Sequence, residues 1–149
     1  MPSGPNAVSD VRAVADTNVL ISGLLWGGPS ASILDRGTQR LIGLVTSEGI
    51  LAELEEVLSR PHLAERLRLR GQTVVGVMAT YRAVAQIVEP AEVELPAMLR
   101  DPKDLPVLRC AVGAKVDAII TGDKDLLELK EFTNIPIVTP RQFLKSIGM

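Results

Sequence analysis

The chain has 149 residues and a net charge of −2, with 46% hydrophobic and 23% charged residues. This length suits one compact domain, and the proportions of hydrophobic and charged residues exclude disorder of the whole chain. A protein that holds nucleic acid by charge alone is usually basic, so any such binding here requires a local basic patch, a metal ion or a partner. The aromatic content of 3% disfavours base stacking as a route to nucleic acid.

The N-terminal residues, the single cysteine and the apolar runs further limit the class of protein that this chain can belong to. Residues 1–10 lack the basic and apolar regions of a signal peptide and are predicted to form a disordered tail. A single domain is predicted over residues 11–147. Cys110 alone cannot form an intrachain disulfide, and its apolar helical surroundings predict a small buried side chain. No apolar run approaches the length of a membrane span, so a cytoplasmic protein is expected.

Strand-like and helix-like patterns alternate in the first half of the chain. The first elements predicted are a strand over 11–15, a helix over 18–25 that Gly27 and Gly28 end, and a short helix over 30–36. A strand over 41–45 follows, and then a helix that Thr46 or Ser47 caps and that runs to about residue 59. The last elements of this half are a helical region over 62–86, interrupted at Gly71, and an edge strand over 87–88.

The second half begins with a predicted loop that extends to Leu99. The elements after it are a helix over 105–115 capped by Asp104, a strand over 117–121, a helix over 125–129, a strand over 135–138, and a last helix that starts at Thr139, Pro140 and Gln142. Strands that alternate with helices predict an α/β fold, with a mostly parallel central sheet covered by helices on both faces.

Four acids lie where predicted strands end or helices begin: Asp16, Glu53, Asp104 and Asp123. Ligands of open α/β sheets bind outside the carboxyl ends of the strands, so these side chains have a shared reason to converge. Carboxylates brought together resist ionisation unless a cation lies among them, and oxygen ligands suit Mg²⁺ or Mn²⁺. Such an ion can activate water against a phosphodiester.

Most of the candidate residues also have a purely structural interpretation. Asp104 and Asp123 can be helix caps, and Glu53 can be a solvated helix residue. The run Arg66, Arg68 and Arg70 is usually a solvated face. Asp16 is the exception, because an Asp that follows a buried strand needs a partner.

At these residues the sequence resembles PIN-domain proteins, and more narrowly the subgroup related to the VapC toxins of toxin–antitoxin systems. The likeness covers about residues 11–144. It is carried by Asp16-Thr17-Asn18-Val19-Leu20-Ile21-Ser22, the segment 47–58 with Glu53-Leu54, Arg100-Asp101-Pro102-Lys103-Asp104, the segment 116–127 with Thr121-Gly122-Asp123-Lys124-Asp125, and Ile137-Val138-Thr139-Pro140-Arg141-Gln142-Phe143-Leu144.

The resemblance implies a PIN-like three-layer α/β/α fold and a Mg²⁺- or Mn²⁺-dependent ribonuclease. Its acidic site maps onto Asp16, Glu53, Asp104 and Asp123. Further residues match supporting polar positions or lie beside the acids: Asn18, Ser47, Thr121, Asp101 and Asp125. The resemblance also implies a homodimer or higher homo-oligomer and a small antitoxin partner. Because the chain is slightly acidic, RNA is expected along a local basic strip, with five candidates: Arg66, Arg68, Arg70, Lys124 and Arg141.

Two rival functions stay open at this stage. One is a PIN-fold module that binds RNA or protein with weak or lost catalysis, which the intact set of acids disfavours. The other is an unrelated α/β phosphotransfer domain. A phosphatase of the haloacid-dehalogenase type needs a second Asp two residues after the first, and Asn18 stands there instead.

Overall fold

A computed structural model describes residues 11–94, 99 and 102–148. The predicted N-terminal tail and Asp101 lie outside the described residues. Within these ranges the strands are β1 Arg12–Ala15, β2 Gly43–Thr46, β3 Gln86–Ile87, β4 Ala118–Ile120, β5 Glu131–Phe132 and β6 Ile135–Val138. They form one sheet in the order β3-β2-β1-β4-β6-β5. All neighbours are parallel except β5 and β6, which form an antiparallel pair.

Helices fill the connections between the strands. They are α1 Thr17–Leu25, α2 Gly28–Thr38, α3 Glu48–Leu58, α4 Pro61–Leu69, α5 Val74–Val84, α6 Leu105–Ala114, α7 Lys124–Leu129 and α8 Pro140–Ser146, with a 3-10 turn at Pro102–Asp104 before α6. Helix α6 packs against β1, β2 and β4, and α8 packs against β4 and α2. The predicted three-layer α/β/α fold is confirmed.

The core is aliphatic, as the low aromatic content requires. Ala13, Val14 and Ala15 of β1 are at most 1% exposed, because β1 has a strand on each side and helices over its faces. Cys110 is buried in α6, as predicted. None of the helices in the described ranges has the length and apolar character needed to cross a bilayer.

Local signals explain most element ends. The helical region 62–86 divides at Gly71, whose φ of 74° favours glycine. Thr139 and Gln142 form the predicted capping box of α8. The predicted cap at Asp104 is wrong. Its backbone is already helical and its side chain makes no capping bond, because the 3-10 turn carries the chain into α6.

The order of the strands determines where a site can form. From β1 the chain moves to β2 and β3 on one side, and then crosses to β4 on the other side of β1. A reversal of this kind leaves a crevice beyond the carboxyl ends of the two strands at which it occurs. Asp16 directly follows β1, and Thr121 directly follows β4. The fold therefore places both residues at the crevice.

Candidate active site

Asp16 is held by two hydrogen bonds at the end of β1. Its Oδ1 accepts from the backbone N–H of Val19 at 2.8 Å, which makes Asp16 the N-cap of α1. Its Oδ2 accepts from the hydroxyl of Thr121. Asp16 is only 7% exposed. The partner that a buried Asp requires is therefore present, and both carboxylate oxygens have a fixed orientation.

Thr121 links the two strand ends. Its hydroxyl donates to Asp16 and accepts from the backbone N–H of Asp123 at 3.0 Å, so one hydroxyl group is a donor and an acceptor at the same time. The Oδ1 of Asp123 accepts from the N–H of Asp125 at 2.9 Å and caps α7. Asp123 is thus a helix cap, which is the structural role that its position in the sequence predicts. Capping leaves its other carboxylate oxygen available to a ligand.

Glu53 reaches the same place from α3. Ser47 caps this helix with its hydroxyl, which accepts from the N–H of Ile50 at 3.4 Å. Glu53 lies in the second turn and is half-buried. The hydroxyl of Thr17, in the first turn of α1, donates to Oε1 of Glu53 at 2.6 Å. This short bond positions the carboxylate beside the start of α1.

The four predicted acids line one cavity of about 390 Å³. Asp104 enters it from the turn before α6 and is 6% exposed, so two of the four carboxylates are almost fully buried. The four acids that the sequence predicts to converge therefore line the same cavity. The remaining wall is formed by residues of α1, α3, α6 and α7 and by the residue that precedes α4: Thr17, Asn18, Glu56, Val57, Arg60, Val107 and Leu126.

Burial and mutual repulsion act together on Asp16. Burial, the largest effect, raises the pKa of Asp16 above its usual value. The hydrogen bonds from Thr121 and Val19 lower the pKa, and the negative charges of Asp123 and Glu53 raise it again. The net shift is upward. The cavity thus concentrates negative charge that a bound cation would relieve.

The PIN-domain family model matches residues 12–125, which include all four acids. The chain belongs to the PIN-domain family. PIN domains are in general nucleases, so the match supports a hydrolase of phosphodiester bonds that binds nucleic acid. A similar protein is the uncharacterized protein MJ1680 of Methanocaldococcus jannaschii. The two are 28% identical over 144 residues, which cover 91% of this chain and 90% of that protein.

The chemistry of the acids fits a hard divalent cation, because the donors are carboxylate oxygens on four different elements. Among the residues with described positions, no group of three or more His, Cys, Asp or Glu side chains lies close enough together to hold a metal ion. Hydrogen bonds from Thr121 and Thr17 hold Asp16 and Glu53 in place in this arrangement. The residues that would bind the ion are Asp16, Glu53, Asp104 and Asp123.

The predicted supporting residues have different positions. Asn18 is exposed and lines the cavity of this PIN domain. Thr121 is fully buried between two of the acids. Ser47 acts through its helix, since it caps the α3 that carries Glu53. Asp125 is exposed in the first turn of α7 and is not part of the cavity wall.

The basic residues predicted to contact RNA are exposed, but their contacts differ. Arg66 stacks on Trp26, with its guanidinium carbon 4.8 Å from the ring centroid. Arg68 forms an ion pair with Glu65. Arg70 donates to the backbone carbonyl of Leu25 at 2.9 Å and so ties the end of α4 to the end of α1. Two candidates lie at the first turns of α7 and α8: Lys124 and Arg141.

Thr17 and Arg60 are two residues of the cavity wall that the sequence pattern did not indicate. Arg60 lies seven residues after Glu53, a helical spacing that returns to the same face, and it lines the cavity with Glu56. The Arg60 guanidinium and Glu56 form an exposed ion pair at 3.2 Å. This spacing could have indicated Arg60 in advance. Arg60 is the only basic side chain in the described cavity wall.

Proposed function

We propose that this PIN domain is a Mg²⁺- or Mn²⁺-dependent endoribonuclease that acts as the toxin of a type II toxin–antitoxin pair. The observation that carries the nuclease proposal is the convergence of four acids, two of them almost fully buried, on one cavity at the strand reversal. Burial of several carboxylates is costly without a cation, and stability alone gives no reason for it. The likeness of the acidic motifs to VapC-related proteins supports RNA as the substrate.

Each residue has a role that follows from its contacts. Asp16 presents a carboxylate whose orientation is fixed by Val19 and Thr121. Thr17 orients Glu53, and Arg60 at the cavity wall offers a positive charge to a phosphate. A divalent cation held by the acids would stabilise the negative charge that develops on the phosphodiester.

The toxin role rests on the resemblance of the chain to VapC-related proteins. It implies a small antitoxin that blocks the nuclease and, as part of the same proposal, a homodimer or higher homo-oligomer. The observation that tests this role is the neighbouring reading frame. A short adjacent gene whose product has a DNA-binding N-terminus is expected, and a genome in which the gene stands alone contradicts the toxin role without touching the nuclease.

The nuclease proposal is tested with the full chain and an end-labelled single-stranded RNA of mixed sequence. We expect internal cleavage in Mn²⁺ or Mg²⁺, none in EDTA, and slower cleavage of the matching DNA. Product lengths on a denaturing gel measure the reaction. If folded protein leaves the RNA intact with either cation, the nuclease proposal is wrong. Binding of RNA without cleavage would favour the alternative, a PIN-fold binding module.

A further inference from the structure

Trp26 is unusual for its position in the molecule. It is the only Trp of the chain and follows the last residue of α1, directly before Gly27 and Gly28. Both glycines have positive φ, 85° and 72°, so the chain turns sharply here and presents Trp26 at the tip. Trp26 is 54% exposed, whereas Trp side chains are on average highly buried. The core therefore does not account for this side chain.

The surroundings of Trp26 add positive charge on a fixed support. The guanidinium of Arg66 lies over the ring, and both side chains are exposed. The hydrogen bond from Arg70 to Leu25 holds the ends of α1 and α4 together beneath them. An aromatic ring beside a guanidinium matches the chemistry of a nucleotide, because the ring stacks on a base and the cation contacts a phosphate.

Both helices that meet at Trp26 begin at the acid cavity. Helix α1 starts directly after Asp16, and α4 starts directly after Arg60, which lines the same cavity. Ten residues at the rise of an α-helix separate Asp16 from Trp26 by about 15 Å. That distance corresponds to roughly four nucleotides of a stacked strand. Arg60 lies at the cavity end of this distance, and Arg66 lies at the Trp26 end.

We propose that Trp26 and Arg66 form a base-stacking subsite for single-stranded RNA, located several nucleotides from the bond that is cleaved. This inference rests on the proposed nuclease function and names how that site holds its substrate. It revises the expectation from composition that base stacking is disfavoured. A composition averages over the chain, whereas a single exposed ring is enough to hold a base.

The test uses Trp26 as its own probe, since no other Trp emits. Full-length protein in EDTA, where cleavage does not occur, is titrated with a single-stranded oligoadenylate RNA of about ten nucleotides, a length that covers several stacked bases. We expect saturable quenching of the Trp fluorescence. Inorganic polyphosphate, which has phosphates but no bases, should not quench it. Equal quenching by polyphosphate would overturn the stacking proposal.

Variants then measure the contribution of the ring. Trp26→Ala should weaken binding of a fluorescently labelled RNA about tenfold or more by anisotropy, as expected for the loss of one base stack. Trp26→Phe should restore most of the affinity, and Trp26→Leu, which has bulk without a π face, should not. Val75→Ala is the matched control, because Val75 is an apolar side chain exposed by 78% on a different helix. It should leave the affinity unchanged.

The outcomes separate this inference from the nuclease proposal. If the wild-type protein cleaves RNA in Mn²⁺ but Trp26→Ala binds RNA as tightly as the wild type, the subsite is wrong and the nuclease proposal stands. If RNA quenches Trp26 and Trp26→Ala loses affinity while no cation supports cleavage, the subsite stands and the nuclease proposal fails. Absence of any RNA binding overturns the subsite. Thermal unfolding of each variant verifies that it is folded.

Discussion

Replacing Asp16 with Asn should reduce cation-dependent RNA cleavage by at least about three orders of magnitude, or about 4 kcal/mol of transition-state stabilisation. The substitution removes one negative charge and reverses the direction of the hydrogen bond with Thr121. The amide oxygen of Asn can still accept from Val19, and its NH₂ group can donate to the hydroxyl of Thr121. The cap of α1 is retained, so the loss reports on the acid cavity and not on folding.

The control is Asp125→Asn. Asp125 lies two residues from Asp123 in the same motif, yet its side chain is exposed and is not part of the cavity wall. This variant should retain activity within about threefold, a difference of under 1 kcal/mol. Rates are compared from initial velocities at saturating Mn²⁺. Cleavage by Asp16→Asn at the wild-type rate would remove Asp16 from the catalytic set, and an equal loss in Asp125→Asn would show that the effect is not specific to the cavity.

Adding Mn²⁺ should raise the melting temperature of the wild-type protein by about 5–10 °C, because the ion binds the folded cavity and not the unfolded chain. At a hundredfold excess over the dissociation constant, binding contributes about 2.7 kcal/mol. For a chain of this length, 1 kcal/mol corresponds to roughly 2–4 °C. Asp16→Asn and Asp104→Asn should lose most of the shift. An unchanged shift in both variants would show that the cation binds elsewhere.

The same experiment without a cation has a predicted pH dependence. The pKa of Asp16 in the folded protein is raised above the usual value of 3.8, so the protonated carboxyl is favoured by folding. The contribution of the Asp16 carboxyl to the free energy of unfolding is fully present at a pH below 3.8. It is lost as the pH rises through the raised pKa of the folded protein. Metal-free wild-type protein should therefore lose stability relative to Asp16→Asn as the pH rises above about 4. A parallel pH profile for the two proteins would contradict this assignment.

Much of the fold could be predicted because burial leaves a direct pattern in the sequence. The apolar run that forms β1 is buried on both faces, as expected for a central parallel strand. The β5 strand was not predicted, because Glu131–Phe132 is a two-residue strand whose pairing with β6 is set by tertiary contacts. The error at Asp104 has a related cause, since a helix-start motif does not reveal a preceding 3-10 turn.

The acids of the site could be predicted from chain position, because strand ends of a parallel sheet meet at one edge. The residues that hydrogen-bond to these acids could not be predicted in this way. Thr17 bonds to Glu53 across 36 positions in the sequence, and Thr121 bonds to Asp16 across 105. Trp26 is a similar case, since its proposed role depends on its exposure and on the stacked Arg66. Such pairings are properties of the folded chain.

The edges of the sheet limit how copies of this chain can associate. Both edge strands, β3 and β5, contain only two residues, and β3 is exposed. Short edges present few free backbone groups and are poor templates for the addition of another strand. A continuous sheet across two subunits is therefore disfavoured. The proposed dimer and the proposed antitoxin complex are therefore expected to be held by side-chain contacts and not by backbone hydrogen bonds along a sheet edge.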